Sequence, residues 1–171
     1  MRKKIVEKCG KIKIVLTDVD GVLTDGGMYY SQDGDSMKKF HVRDGMGVNI
    51  LLRNGINTII ITKERTKFVR NWAKKMNITK LYDGVTKKEE MIRIICNEFN
   101  VKPDNLAYVG DDVNDIKIMM RVGFAIAPND AVLQVKEISD YVCNLNGGKG
   151  VLREVADLIL DNQFGHKKIL Y

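Results

Sequence analysis

The chain has 171 residues, 28 Lys and Arg against 22 Asp and Glu, a formal charge of +6, 44% hydrophobic residues and 29% charged residues. This is the balance of a soluble globular protein long enough to bury a sizeable core, and no apolar run approaches a membrane span. The lysines are scattered, aromatic residues make up only 7%, and no groove-reading motif occurs, so the charge fits a mild field for an anionic substrate rather than nucleic-acid binding.

The basic start, Met1 to Lys8, lacks the apolar core and cleavage site of a signal peptide, so the expected compartment is cytoplasmic. Cys9, Cys96 and Cys143 are odd in number, widely spaced and expected as reduced thiols. Residues 12–17 form an apolar, β-branched run that reads as a buried parallel strand, with Gly21 at the turn where it stops. Residues 27–41 read as a β-hairpin with Asp33-Gly34 at its turn, His41 on its face and Tyr29 and Tyr30 alternating along it.

A helix is predicted from Asp44 to Asn54, stopping at Gly55, and a strand from Asn57 to Ile61 leads to Thr62. A charged helix follows over residues 64–76, then a short strand near Leu81-Tyr82. Thr86 has the character of an N-cap, with Glu89 as its capping-box partner, for a helix reaching Phe99. Leu106 to Val109 is a buried strand ending at Gly110-Asp111-Asp112, followed by a helix to Arg121. Next come a strand over Phe124–Ala127, a short helix through Val132 and a last strand over Ser139–Cys143. Gly147-Gly148-Lys149-Gly150 then opens the final helix. Trp72, Met119 and Met120 fall at helical positions and read as packing, Pro103 and Pro128 as turn residues, and the tail over about 163–171 as polar and loose. Alternating β and α units with no repeat or linker predict one α/β domain over 1–171, a doubly wound parallel sheet with helices on both faces.

The chemistry concentrates at predicted strand ends, which is where ligands bind in open α/β sheets. Asp18 and Asp20 close the first strand one residue apart, and such carboxylates repel unless a cation, a shared proton or a phosphate accounts for them. Thr62 follows the second strand, Lys88 opens a helix, and Asp111, Asp112 and Asp115 follow the fourth. Each piece alone is weak; their order is informative.

A first strand ending Asp18-x-Asp20-Gly21-Val22-Leu23-Thr24 resembles the haloacid dehalogenase-like phosphohydrolases, and the later pieces match that superfamily's remaining motifs. The resemblance implies a Rossmann-like sheet and a Mg²⁺-dependent phosphomonoester hydrolysis. In it Asp18 is the nucleophile that becomes an aspartyl phosphate, and Asp20 is the general acid and then the base. It assigns Mg²⁺ to the Asp18 carboxylate, the Asp20 backbone carbonyl and Asp111, a hard oxygen set. Thr62 and Lys88 meet the phosphoryl group, Asp115 positions Lys88, and Asp112 supports the metal shell. Lys88 rests on the family's spacing from Gly84, with Lys87 as the alternative.

The segment between Asp20 and Asp44 is too short for a large cap domain, leaving the hairpin as the flap. The hairpin, Phe40-His41-Val42-Arg43-Asp44-Gly45-Met46-Gly47 and Gly147-Gly148-Lys149-Gly150-Val151-Leu152-Arg153-Glu154-Val155 closely resemble the capless 3-deoxy-D-manno-octulosonate 8-phosphate phosphatases over residues 10–160. Those enzymes form tetramers in which a neighbour's hairpin helps close the site, so a homotetramer is expected. Lys63-Glu64 departs from that family's Gly-Arg, and Glu64 with Lys75 instead resembles the nonulosonate 9-phosphate phosphatases of sialic-acid type sugars. Arg43 matches the octulosonate side. The expected substrate is a 2-keto-3-deoxy sugar acid phosphate, with the nonulosonate placed slightly ahead and Arg43, Glu64 and Lys75 as its candidate contacts.

Two other classes compete. A signalling receiver domain shares the acidic cluster, Thr and Lys but phosphorylates an Asp on a middle strand of the chain order and has no counterpart of Asp20. A non-catalytic oligomerisation module, like the phosphatase-like domains attached to some sialic-acid cytidylyltransferases, would not need every catalytic position filled. The expectation is therefore an enzyme, with neither nucleic acid nor membrane as partner.

Overall fold

The computed structural model describes residues 2–169. Its strands are β1 (Ile14–Thr17), β2 (Tyr29–Ser31), β3 (Gly34–Met37), β4 (Asn57–Ile61), β5 (Lys80–Tyr82), β6 (Leu106–Val109), β7 (Phe124–Ala127) and β8 (Tyr141–Val142). Six of them make one sheet in the order β5-β4-β1-β6-β7-β8, every neighbouring pair parallel. β1 has a partner on each side: Leu16 stands in register with Ile59 of β4 and with Tyr108 of β6. The chain winds outward from β1 to β4 and β5, then returns to β6 on the other side. That reversal puts the carboxyl ends of β1, β4 and β6 together.

The helices are α1 (Arg2–Cys9), α2 (Val42–Arg53), α3 (Lys67–Lys75), α4 (Met91–Phe99), α5 (Ile116–Met119), α6 (Leu133–Ile138) and α7 (Val151–Gln163). Residues alternate between the faces of the sheet, as the two-residue period of a strand requires. Val15, Ile60, Val109 and Ile126 join a core cluster with α1, α2, α3 and α7, while Ile14, Leu16, Ile59, Ile61 and Tyr108 join another with α4, α5 and α6. β2 and β3 form the expected antiparallel hairpin as a separate two-stranded sheet, with its register shifted between Tyr29 and Tyr30. This is the doubly wound sheet with a hairpin flap and no large cap.

Several local expectations need correction. α1 was not predicted: its basic, mostly exposed face hides the signal, yet Cys9 is fully buried, and Gln163 donates to the Cys9 and Ile12 carbonyls to fasten it to α7. Thr86 does not cap a helix. A 3₁₀ turn over Lys88–Glu90 precedes α4, its N-cap is Lys87, and no side chain bonds there. The helix expected to reach Arg121 is only a 3₁₀ turn (Val113–Asp115) and α5, leaving Met120 exposed while Met119 is buried. The short helix lies after Val132, not before it. His41 is the N-cap of α2, its Nδ1 accepting from the Arg43 N–H, rather than a hairpin-face residue. The tail is fastened where it was expected loose, since Asn54 exchanges two hydrogen bonds with the Ile169 backbone; residues 170–171 lie outside the described residues. Among the described residues no helix is long and apolar enough to cross a membrane, and the three cysteines are free thiols.

Candidate active site

A cleft of about 300 Å³ opens at the carboxyl ends of β1, β4 and β6, lined among others by Asp18, Asp20, Thr62, Glu64, Asp111 and Asp112. Asp18 follows β1, and its backbone N–H donates to Val109 of β6, so the strand pairing continues through the residue that carries the carboxylate. Asp18 is 6% exposed; Oδ1 accepts from the Val19 N–H at 2.8 Å and Oδ2 from Lys88 Nζ at 2.6 Å. Gly21 turns the chain away at φ +80°, and a side chain there would collide with Asp111, whose Oδ2 lies 1.9 Å from the position of a Cβ. A second glycine supports this loop from behind: a Cβ on Gly147 would fall 2.1 Å from the Gly21 carbonyl, and Gly148 N–H donates to Val22.

Lys88 is 2% exposed and lies beneath the cleft between Asp18 and Asp115, at 2.6 and 2.7 Å. Lys87 is out on the surface beside Glu90. Asp115 is fully buried, its Oδ1 accepting also from the Tyr108 hydroxyl and its Oδ2 from the Asp111 N–H. Burial opposes the Lys88 charge, but Asp18 and Asp115 outweigh it and raise its pKa. Burial raises Asp18 as well, with Asp115 adding and Lys88 opposing. Asp111 is pushed up to about 8 by burial, then by Asp18 and Asp115. Carboxylate oxygens of Asp18, Asp111 and Asp115 lie within 4.8 Å of one another. Asp115 is engaged by Lys88 and Tyr108, whereas burial and its acidic neighbours disfavour the charge of Asp111. This oxygen donor set fits a hard divalent cation held by Asp18 and Asp111.

Thr62 is buried at the end of β4, its N–H bonded to Tyr82 and its hydroxyl accepting from the Glu64 N–H at 3.3 Å. Asp112 is exposed and caps the following 3₁₀ turn through the Val113 N–H, so its carboxylate serves the local backbone. Arg43 and Lys75 are not brought into this cleft. Arg43 is exposed on α2 near Met46 and Arg153, and Lys75 is exposed at the end of α3. Two residues at the site escaped the sequence reading. Tyr108 sits inside an apolar strand and reads as core. Lys38 follows β3 in a Lys-Lys pair that reads as solvated surface, yet its Nζ meets Asp20 and Glu64.

A family model for haloacid dehalogenase-like hydrolases matches residues 54–155. The 3-deoxy-D-manno-octulosonate 8-phosphate phosphatase of Escherichia coli K12 is 38% identical over 156 residues, covering 91% of this chain and 83% of the relative. The chain belongs to the haloacid dehalogenase-like hydrolases. Among solved members of this family, the octulosonate phosphatase of Yersinia pestis superimposes with a TM-score of 0.92 at 35% identity, over 95% of this chain and 88% of that one. The enzyme of Moraxella catarrhalis, solved with magnesium, phosphate and KDO, superimposes at 0.92 with 34% identity, over 95% and 94%. A cobalt-bound form from Haemophilus influenzae gives 0.88 at 36% identity, over 91% of each chain.

Proposed function

We propose that this hydrolase is a magnesium-dependent phosphatase that removes the terminal phosphate of a 2-keto-3-deoxy sugar acid through an aspartyl phosphate. The observation that carries the reading is the buried Asp18–Lys88–Asp115 chain at the strand ends, with Asp111 beside it. Asp18 attacks phosphorus as the bond to the sugar oxygen breaks, and Asp20 delivers a proton to that oxygen. Asp20 then takes a proton from the water that attacks the aspartyl phosphate, releasing phosphate and restoring Asp18. Thr62 and Lys88 bind phosphoryl oxygens, and Asp115 holds Lys88 in line. Mg²⁺, held by the Asp18 and Asp111 carboxylates and the Asp20 carbonyl, supplies positive charge against the repulsion between nucleophile and phosphate.

Octulosonate 8-phosphate is the first substrate of this reading, because the relatives named above carry that activity in their names. Nonulosonate 9-phosphate is the second, favoured by Glu64, which lines the cleft two residues beyond Thr62. The proposed assembly is a homotetramer in which a neighbour's hairpin covers the cleft, supported by the exposed Met28, Tyr29, Tyr30 and Met37 on and beside that hairpin. Phosphate release from both sugar acids with Mg²⁺ tests the substrate. Octulosonate 8-phosphate is expected to give the higher kcat/KM, and Glu64→Arg is expected to widen its lead. A higher kcat/KM for the nonulosonate would reverse the order, and release from neither would favour a non-catalytic module.

A further inference from the structure

We propose that Lys38 is a positioning residue for departure of the leaving group, fixing the Asp20 carboxyl through a three-point contact; this rests on the reading of Asp20 given above. Lys38 Nζ lies 2.6 and 2.7 Å from the two oxygens of Asp20 and 2.7 Å from Glu64 Oε2. An ammonium has three donors, and here each has an acceptor. The side chain is 10% exposed, against 37% for Asp20. A lysine withdrawn from water this far is costly unless paired, so the contact defines where the ammonium rests.

The three partners come from separate parts of the fold. Asp20 is in the loop after β1, Glu64 in the loop after β4, and Lys38 on the strand-end segment that leaves the hairpin. That segment has its own anchor, the stacking of Phe40 on Trp72 with ring centroids 4.9 Å apart and planes 13° apart. The Lys38 backbone is therefore held independently of the charge contact. Among the described residues, Asp20 accepts one further side-chain hydrogen bond, from the Thr24 hydroxyl to Oδ1 at 3.1 Å. With Lys38 removed, rotation of the Asp20 carboxyl is limited by that single bond. In the acid form one Asp20 oxygen carries the proton for the leaving group while the other keeps its bond to Lys38, so Lys38 acts by holding the carboxyl in place and not by favouring its protonation. Lys88 serves the nucleophile and Lys38 the orientation of the acid.

The chemistry predicts which substrates feel the loss. A poor leaving group departs only if a proton reaches its oxygen as the bond to phosphorus breaks, whereas a nitrophenolate leaves as the anion. The test uses phenyl, chlorophenyl and nitrophenyl phosphates with saturating Mg²⁺. They lack the sugar, so lost contacts of Glu64 to hydroxyls do not enter. The readout is kcat/KM, which reports the steps through phosphoryl transfer and omits the later hydrolysis common to all three. In Lys38→Met, phenyl phosphate is expected to fall about 10-fold or more beyond nitrophenyl phosphate, steepening the dependence on leaving-group acidity, and Lys38→Arg should restore the shallow slope. Lys38→Gln repeats the measurement should the Met variant not fold. Equal losses on all three esters, or no loss, would overturn the proposal. Asp18→Asn keeps the two readings apart: activity surviving in it on any ester refutes the nucleophile assignment, whatever Lys38 does.

Discussion

Asp18 and Asp111 hold their protons more tightly in the fold than in an open chain, because burial withdraws both from water. Asp111 is raised from an ordinary value of 3.8 to about 8. Between those two values the folded state binds more protons than the unfolded one, so the contribution of this group to stability declines as pH rises. A divalent cation needs these carboxylates ionised, and its binding releases the protons. Added Mg²⁺ is therefore expected to raise Tm more at pH 8 than at pH 6, measured by thermal denaturation. Equal shifts at the two pH values would show that Asp111 does not titrate on binding.

The residues placed at strand ends were legible in the sequence for a physical reason. A buried parallel strand leaves its mark as an apolar run, and Asp18, Thr62 and Asp111 stand at or just beyond the end of one. Lys38 was not legible, since its partners lie 18 and 26 residues away and depend on how the hairpin folds back. Arg43 and Lys75 are candidates by resemblance alone, and in this chain both are exposed and neither lines the cleft.

α2 and α7 pack closely enough that a Cβ on Gly47 would come within 3.0 Å of the Arg153 Cα. Asp44, fully buried in the first turn of α2, accepts from the Arg153 N–H at the start of α7 at 3.1 Å. It thus caps a helix to which it does not belong, one whose own N-cap, Gly150, offers no side chain. Burial pushes the Asp44 carboxyl up to about 7, against the backbone N–H groups of Arg153 and Leu152. Asp44→Ala is expected to destabilise the fold by about 1–2 kcal/mol, as loss of a cap does, with the midpoint of denaturant unfolding as the readout. No change in midpoint would mean that the start of α7 finds another acceptor. Helical spacing locates α2 and the Gly147–Gly150 run locates the start of α7, but neither signals this link, which joins residues 109 apart. Short elements were harder to read: the Lys88–Glu90 turn and α5 are too brief to carry a helical pattern, and tertiary packing sets their limits.

At the scale of the whole molecule, the cleft is linked through Lys38 to a hairpin segment that carries exposed apolar side chains, with Met28 62% and Tyr30 64% exposed. An open cleft lets water weaken the electrostatic contacts made to a phosphoryl group. A neighbouring subunit laid over the hairpin would bury these side chains and cover the cleft in one step. Light scattering is expected to give the mass of a tetramer, and Tyr30→Asp should shift it toward smaller species while lowering kcat/KM. A fully active monomer would contradict the assembly.

In the proposed reaction Asp18 is the group that receives the phosphoryl unit. Rapid acid quench of the enzyme with octulosonate 8-phosphate and Mg²⁺, followed by peptide mass spectrometry, reads that directly. A single phosphoryl group is predicted on the peptide containing Asp18, absent from Asp18→Asn. Undiminished phosphate release by Asp18→Asn, or a phosphoryl group on a different residue, would contradict it.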